Sequence, residues 1–524
     1  MLPLIRASRR RILASTYPRY SCLRPIANTA PPSRIPLRFC ASHVPTADQT
    51  PVPSTTEAPD HRTLGVRQEL FTSSIYSPGS PIFLPNGTRI FNRLVEFLRR
   101  QYVRYGFEEV LTPTIYKKAL WAKSGHLENY SDDMFTVTST SPSRADSNAL
   151  NARDPTAGSS GSEADEYGLK PMNCPGHCLI FASQRRSYRD LPIRYADFSP
   201  LHRNEISGAL SGLTRVRRFH QDDGHIFCRP SQIEDEIRRT LEFVKETYAI
   251  LKLGDYRLVL STRPDDHFIG EIEEWDQAET ALRQALDSLR QPWTLSPGDG
   301  AFYGPKIDII LRDSDGKEHQ TATVQLDFQL PKRFDLEYQT PDDDAATTSG
   351  PSRPVLIHRA VLGSVERLMA LLIEHYNGKY PFWLNPRQVM IITVNDTLPV
   401  VDRARAIKAQ LLGQGGDQQK NETSPPQQLA GTTAAASQLA VDIDDSARSI
   451  GLKVREAKSK GYGAIITVGA QEVDSDVLPV DVSGMPNPLL PDGSSLAKPQ
   501  GNRPLKLETA VLCQMLRHTV DSYE

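Results

Sequence analysis

The sequence predicts an α+β fold, in which an antiparallel sheet flanked by helices is followed by an α/β domain. Apolar residues recur at helical spacing over residues 90–104 and 360–376, which predicts two amphipathic helices. Between them, several strand-like segments follow one another without a helix between each, and this order favours antiparallel pairing. After about residue 386, strand and helix patterns alternate, which is typical of a separate α/β domain.

The middle of the chain supplies the strands of the antiparallel sheet. The segment TVQLDFQL (323–330) alternates strictly, so Val324, Leu326, Phe328 and Leu330 are expected on one face. Strands are expected at 193–198, 215–228, 306–311, 322–330 and 354–359.

The second domain, residues 386–524, is predicted from shorter segments of alternating type. Its strands are expected at 387–394, 438–444 and 464–469, and its helices at 400–412, 446–460 and 505–522. Within the second helix, four cations predict a local basic patch suited to phosphate contact, although such a run is more often only a solvated face. These are Lys453, Arg455, Lys458 and Lys460.

Composition excludes several classes of protein. Of the 524 residues, 39% are hydrophobic, enough for a buried core, and no apolar run approaches the ~20 residues of a membrane-spanning helix. No membrane insertion is therefore expected. Lys and Arg number 61 against 63 Asp and Glu, so the net charge of −2 excludes binding of nucleic acid by bulk positive charge. The 6 cysteines are too scattered for a disulfide framework.

The first 60 residues predict a mitochondrial presequence and linker. Residues 1–47 contain arginines and serines but no Asp, Glu or Lys, a composition typical of import signals for the mitochondrial matrix. A disordered basic tail is the alternative interpretation. Three polar tracts, 136–167, 340–353 and 413–438, lack the apolar residues to bury a face, and the last is expected to be disordered. The domain boundaries are accordingly expected at 61–385 and 386–524.

The candidate site residues fall in separate segments. The chain has neither a GxxxxGK[ST] loop nor a GxGxxG turn after a strand, so arginine forks are the alternative means of holding phosphate. Arg203 is expected on a strand face shared with Glu205, and Arg367 at the start of the helix after strand 354–359. Either arginine could instead be a solvated surface group.

A third group of residues predicts a polar pocket. On a strand, Gln221, Asp223 and His225 would share one face between Phe219 and Phe227, although a solvent-facing edge would give the same pattern. The segment PMNCPGHC (171–178) adds two cysteines, but without a second CxxC motif a Cys₄ zinc site is excluded. Any metal would need ligands from distant segments.

Several motifs resemble those of class II aminoacyl-tRNA synthetases. GFEEVLTP (106–113), HRNE (202–205) with Arg215, and LGSVER (362–367) look like motifs 1, 2 and 3 of that class. More narrowly, the chain resembles the threonyl-tRNA synthetases through the segments KPMNCPGH (170–177), LPIRYADF (191–198), RRFHQDDGHIF (218–228), GAFYGPKIDI (300–309), VQLDF (324–328) and HRAVLGSVER (358–367). The pattern departs from the family at Ile206 and Gly224, where Pro and Ala are common.

The resemblance implies an enzyme that activates threonine with ATP and transfers it to mitochondrial tRNA(Thr). It implies one zinc ion per subunit, held by Cys174, His225 and His358, with an open position for the amino and hydroxyl groups of threonine. It also implies that ATP binds with magnesium. Arg203 would then bind the α-phosphate, and Arg215 and Arg367 the β- and γ-phosphates. Both Arg203 and Arg367 would be catalytic. The remaining ATP residues would be Glu205 and Gln325, and the threonine pocket would contain Met172, Gln221, Asp223, Tyr303, Lys306 and Gln325.

The resemblance carries further expectations about partners and alternatives. Pro113 would lie at a homodimer interface, and residues 386–524 would bind the anticodon. The similarity begins near residue 60, which would leave no room for an editing domain, so serine would be rejected by only about 10–200-fold in activation. Two alternatives are a catalytically inactive relative that binds tRNA or acts as an accessory protein, and another class II synthetase such as the prolyl enzyme.

Overall fold

The computed structural model describes residues 58–138, 166–265, 268–312, 316–340, 351–414, 439–490, 492–496 and 503–524. The predicted presequence and most of the three polar tracts lie outside these residues. The described ends of the first tract are ordered in a way that the sequence did not predict, since residues 136–137 pair with residues 167–168.

The described part of the chain contains helices on both sides of the predicted domain boundary. The helix predicted at 90–104 begins earlier, at Pro85, whose fixed φ suits the first helical turn. The helices are α1 His61–Arg67, α2 Pro85–Arg104, α3 Lys118–Ser124, α4 His126–Tyr130, α5 Cys174–Ala182, α6 Ile233–Ile250, α7 Ile272–Ser288, α8 Gln329–Arg333, α9 Val365–His375, α10 Leu398–Leu411, α11 Ile450–Ser459 and α12 Thr509–Asp521.

The strands range from two-residue pairings to the ten-residue central strand. They are β1 Phe71–Thr72, β2 Ile82–Phe83, β3 Glu108–Glu109, β4 Ile115–Lys117, β5 Thr136–Val137, β6 Tyr167–Leu169, β7 Arg186–Ser187, β8 Ile193–Asp197, β9 Pro200–His202, β10 Arg218–His220, β11 Asp223–Cys228, β12 Arg257–Ser261, β13 Trp293–Ser296, β14 Lys306–Arg312, β15 Glu318–Asp327, β16 Tyr338–Gln339, β17 Val355–Ala360, β18 Val389–Thr393, β19 Val441–Asp444, β20 Ala464–Val468, β21 Val477–Asp481 and β22 Leu505–Glu508.

The predicted antiparallel sheet is present and has eight strands in the order β13-β12-β14-β15-β17-β11-β8-β3. Every pairing from β12 to β8 is antiparallel, and only the two edge strands pair in parallel. The α+β prediction is therefore confirmed.

The register of this sheet aligns four candidate site residues in one row. His225 on β11 lies opposite His358 on β17, which lies opposite Gln325 on β15, which lies opposite Lys306 on β14. Because directly opposed residues point to the same face of a sheet, all four side chains lie on one surface.

The opposite face of the sheet packs on helices. There the buried guanidinium of Arg359 lies 4.6, 4.2 and 4.4 Å from the ring centres of Tyr102, Phe107 and Phe243, which come from α2, the following loop and α6. Cation–π attraction compensates part of the cost of burying this charge. The helices thus cover one face of the sheet, and the row of polar residues lies on the other face.

The prediction of one continuous strand at 215–228 is wrong. The segment is divided into β10, which pairs with β9, and β11, which enters the large sheet. Asp222 lies at the break, and its carboxylate accepts hydrogen bonds from the N–H groups of Val361 and Leu362 at 2.7 and 2.9 Å. These bonds fix the chain where it passes from one sheet to the other.

The strand predicted at 322–330 ends at Asp327, so the predicted alternation of Phe328 and Leu330 is also wrong. The carboxylate of Asp327 accepts hydrogen bonds from the N–H groups of Gln329 and Leu330, at 2.6 and 3.0 Å, at the start of α8. A side-chain acceptor of this kind stabilises a helix start. Similarly, the helix predicted at 360–376 starts only at Val365, because Ser364 Oγ caps it by accepting Arg367 N–H at 3.0 Å.

The C-terminal region forms a five-stranded sheet in the order β19-β18-β20-β21-β22. Its first three strands are parallel, as the strand–helix alternation predicts, but β21 and β22 add antiparallel strands that the sequence did not reveal. Tyr523 packs edge-on against Phe97 of α2 and Trp383, at 5.1 and 5.2 Å between ring centres. The C-terminus is therefore anchored to the N-terminal part of the fold. None of the described helices combines the length and apolar character that a bilayer crossing requires.

Candidate active site

One cavity of about 450 Å³ lies over the polar row of the large sheet. All thirteen candidate site residues line it, although they come from seven separate segments of the chain. They are Met172, Cys174, Arg203, Glu205, Arg215, Gln221, Asp223, His225, Tyr303, Lys306, Gln325, His358 and Arg367. The solvent-facing alternative for the segment 219–227 is thereby excluded, although Phe227 packs against Phe181 rather than lining the cavity.

Three potential metal ligands meet at the inner end of the row. The donor atoms of Cys174, His225 and His358 all lie within 4.8 Å of one another, and His225 Nε2 is 2.9 Å from His358 Nδ1. Cys174 is the first residue of α5, which brings its thiol up to the sheet. Two imidazoles and one thiol, all buried, are a donor set that suits zinc and leaves a fourth tetrahedral position for another ligand.

Burial disfavours charge on these groups when no cation is bound. It raises the pKa of the Cys174 thiol well above its ordinary value. Burial, together with the neighbouring His177 and His358, lowers the pKa of His225 well below its ordinary value. Neutral imidazole is the form that ligates a metal, and a bound cation would stabilise the thiolate that the buried site otherwise disfavours.

Asp327 orients one of the ligands, and sequence reasoning did not assign it a role in the site. Its Oδ2 lies 2.8 Å from His358 Nε2, which places the ring proton on Nε2 and leaves Nδ1 free to face His225 and Cys174. Carboxylate–histidine pairs of this kind fix the tautomer and raise the basicity of a metal ligand. Only the strand pairing of β15 with β17 reveals this contact.

Replacing Asp327 by asparagine is expected to weaken zinc binding about 10–100-fold. The asparagine amide cannot accept from His358 Nε2–H on one side and from the N–H groups of Gln329 and Leu330 on the other, because one of its two atoms is a donor. Zinc affinity is measured by competition with a chromogenic chelator. Asp335→Asn, at a carboxylate whose side chain is 80% exposed, is the matched control. Equal affinities for both variants and the unaltered chain would contradict the role of Asp327.

Polar contacts orient several of the neighbouring pocket residues. Asn173 Nδ2 donates to Asp223 Oδ2 at 3.1 Å, and burial raises the pKa of the Asp223 carboxyl. Tyr303 Oη donates a short hydrogen bond to Gln325 Oε1. The Lys306 ammonium lies 3.0 Å from Asp308 Oδ2. An ammonium group entering beside Asp223 would favour the ionised form of this carboxyl group, which Asn173 already orients.

Two arginines border the other half of the cavity. The Arg203 guanidinium lies 5.0 Å from the ring centre of Phe219 and donates from Nε to Pro171 O at 3.4 Å. Arg367 donates to the carbonyl oxygens of Thr214 and Gln320 at 3.0 and 2.8 Å. Burial, with the nearby charges of Arg203 and Arg215, lowers the pKa of Arg367. Among the described residues no carboxylate forms an ion pair with either arginine, so both can bind an anion.

The predicted strand position of Arg203 and Glu205 is wrong, because β9 ends at His202 and both residues lie in the loop beyond it. Their place in the cavity is unaffected. Arg215 returns from the far side of this loop, and its guanidinium lies 2.8 Å from Glu205 Oε2. This ion pair holds a more exposed arginine at the rim of the cavity.

The basic patch predicted on α11 does not form as a group. Lys453 is buried, and its ammonium donates to the Thr393 carbonyl at 2.9 Å. Lys458 and Lys460 lie 2.7 Å from carboxylate oxygens of Asp481 and Glu456. The prediction grouped Lys453 with the other three cations, but its long side chain reaches polar backbone groups inside the domain.

Two family models match the chain. One, described as tRNA synthetase class II core domain (G, H, P, S and T), matches residues 159–376, and one described as anticodon binding domain matches residues 388–482. The chain is 50% identical over 422 residues to the "Probable threonine–tRNA ligase, mitochondrial" of Schizosaccharomyces pombe, covering 80% of this chain and 84% of that one. It is 47% identical over 418 residues to the "Threonine–tRNA ligase, mitochondrial" of Saccharomyces cerevisiae, covering 78% and 83%.

Coverage differs among the relatives, since the chain spans 52% of a cytoplasmic one from Dictyostelium discoideum. Among solved structures, the RNA binding domain of threonyl-tRNA synthetase from Cryptosporidium parvum superposes with a TM-score of 0.67 at 42% identity, covering 81% of this chain and 92% of that one. Prolyl-tRNA synthetase from Giardia lamblia superposes with a TM-score of 0.57 at 16% identity, covering 89% and 80%. This second likeness extends to the fold alone.

Proposed function

The chain belongs to the threonine–tRNA ligases, a family of class II aminoacyl-tRNA synthetases, and from this we propose that it charges tRNA(Thr) with threonine in the mitochondrial matrix. The enzyme forms threonyl-adenylate from threonine and ATP and then transfers the threonyl group to the tRNA. The observation that carries this proposal is that three metal donors, an oriented carboxylate and two arginines all face one cavity. Among the described residues, neither arginine has a carboxylate partner.

In the first step, a carboxylate oxygen of threonine attacks the α-phosphorus of ATP, and magnesium pyrophosphate leaves. No side-chain nucleophile is needed, so the protein contributes positioning and charge neutralisation. Arg203 binds the α-phosphate and stabilises the charge that develops on it in the transition state. Arg367 and Arg215 bind the β- and γ-phosphates, and Glu205 keeps Arg215 at the rim.

The threonine subsite lies at the inner end of the cavity. Asp223, held by Asn173, accepts the threonine ammonium group. Tyr303 and Gln325 hydrogen-bond to each other and line the same subsite with Gln221, while Met172 adds apolar contact and Lys306 a further positive charge.

Cys174, His225 and His358 would hold one zinc ion per subunit, and the compact arrangement of their donor atoms supports this fit. When bound, zinc supplies a Lewis acid that recognises the amino and hydroxyl groups of threonine together. Valine has nearly the shape of threonine but no hydroxyl, so it would lose a ligand bond rather than a weak contact.

Dimerisation and location are further parts of the proposal. Pro113 lies between Leu111 and Ile115, whose exposed fractions of 83% and 47% are large for apolar side chains, and this surface supports a homodimer contact. The arginine-rich leader and the mitochondrial names of two relatives support import into the matrix. The region matched by the anticodon-binding model supports a tRNA contact in the second domain.

Threonine-dependent exchange of pyrophosphate into ATP tests the proposal directly. We expect exchange with threonine, none above background with valine or proline, and charging of mitochondrial tRNA(Thr) by the same preparation. Exchange that depends on proline would assign the chain to the prolyl activity instead. Absence of exchange with every amino acid, in protein that retains zinc, would favour an inactive relative.

A further inference from the structure

His61, the first residue of α1, is buried between two parts of the fold that are distant in sequence. Its backbone N–H and its Nδ1 contact Glu374 Oε1 on α9, at 3.1 and 2.6 Å. On the other side of the ring, Leu213 N–H donates to Nε2 at 3.2 Å. Because Nε2 accepts that proton, the ring proton lies on Nδ1 and is donated to Glu374.

The turn that contains Leu213 fits closely against this ring. Gly212 has a φ of +48°, and a Cβ atom at that position would lie 2.1 Å from His61 Nε2. A larger residue would both strain the backbone and displace the imidazole. The close contact between His61 and the turn therefore requires glycine at position 212.

The same turn connects to two arginines of the phosphate subsite. Backbone hydrogen bonds between Ser211 and Arg215, at 3.1 and 3.2 Å, close the turn. Thr214 O accepts from Arg367 Nε at 3.0 Å, and Arg215 extends from the end of the turn to Glu205. Helix α9 thus holds the turn at two points, once through Arg367 itself and once through Glu374 and His61.

We propose that His61 is a positioning residue for ATP, which acts by fixing the turn at residues 211–215 and, through it, the guanidinium groups of Arg215 and Arg367. This inference rests on the proposed function and extends it to a helix that does not line the cavity. His61 touches neither substrate, so its loss should weaken ATP binding without a comparable effect on threonine binding.

Two amide variants separate the contacts of His61. Asparagine places an amide near the position of Nδ1, which preserves a donor to Glu374 but removes the acceptor for Leu213. Glutamine is long enough to place an acceptor near the position of Nε2. We expect His61→Asn to raise the KM for ATP in threonine-dependent exchange about three- to tenfold, with the KM for threonine changed less than about twofold. We expect the KM for ATP of His61→Gln to lie much closer to that of the unaltered enzyme than to that of His61→Asn.

Val66→Ala is the matched control, because this side chain lies on the same helix and is 68% exposed. KM does not depend on the fraction of active enzyme, so partial misfolding of a variant would lower kcat without imitating the expected shift. If His61→Asn does not fold, Gly212→Ala displaces the ring from the other side and should give the same selective rise. An unchanged KM for ATP, or equal rises for both substrates, would overturn the role of His61. Lack of exchange by the unaltered enzyme would instead refute the proposed function.

Discussion

Arg203→Ala is expected to lower threonine-dependent pyrophosphate exchange by about 10²- to 10³-fold, the usual scale for loss of one group that binds transition-state charge. The reason is local. Arg203 is supported by the ring of Phe219 and by the Pro171 carbonyl, and no carboxylate among the described residues forms an ion pair with it. Its charge is therefore available to the α-phosphate in the proposed reaction. The loss should appear mainly in kcat, because the interaction is strongest in the transition state.

Two further variants sharpen this prediction. Arg203→Lys retains a positive charge but not the planar fork, so an intermediate rate is expected. Arg257→Ala removes an arginine on β12, outside the cavity, whose ion pair with Glu318, at 2.6 Å, is exposed, and its exchange rate should remain within about twofold of the unaltered enzyme. A normal rate for Arg203→Ala would remove this residue from the catalytic machinery.

The sequence predicted the sheet because alternation and helical spacing are local patterns that survive folding. It did not predict the break between β10 and β11 or the end of β15, since a single carboxylate sets each of them. Asp222 ends one pairing by accepting the N–H groups of Val361 and Leu362, and Asp327 ends β15 by accepting the N–H groups of Gln329 and Leu330 at the start of α8. Hydrophobic periodicity contains no information about such hydrogen bonds. The same limit explains Lys453, whose polar head reaches the Thr393 carbonyl inside the domain.

The site was predictable to a different extent. Spacing alone predicted a pocket formed by Gln221, Asp223 and His225 and did not decide whether a metal binds there. The family resemblance added His358 and Cys174 as metal ligands. The register explains why resemblance was needed, because His225 and His358 are 133 residues apart and become neighbours only when β11 pairs with β17. Asp327 and His61 were missed because each acts through a contact that no local motif encodes.

Cys174→Ala is expected to reduce zinc retention by at least ~10²-fold and to abolish threonine activation. Removing a direct ligand should cost at least as much as removing the partner of a ligand, which is worth about 10–100-fold. The two remaining imidazoles, 2.9 Å apart at their facing nitrogens, would be left without the only anionic donor of the set. Zinc per subunit is measured by atomic absorption after dialysis, and exchange is measured on the same samples.

Cys178→Ala provides the matched control for this experiment. Cys178 lies one helical turn from Cys174 on α5 and is equally buried, but it does not line the cavity. Both variants delete one sulfur from the same helix, so a packing defect would affect them alike, whereas loss of a ligand would affect only Cys174→Ala. We expect Cys178→Ala to retain one zinc per subunit and to exchange pyrophosphate with threonine. Full activity in a Cys174→Ala preparation that contains no zinc would contradict recognition of threonine by a metal at this site.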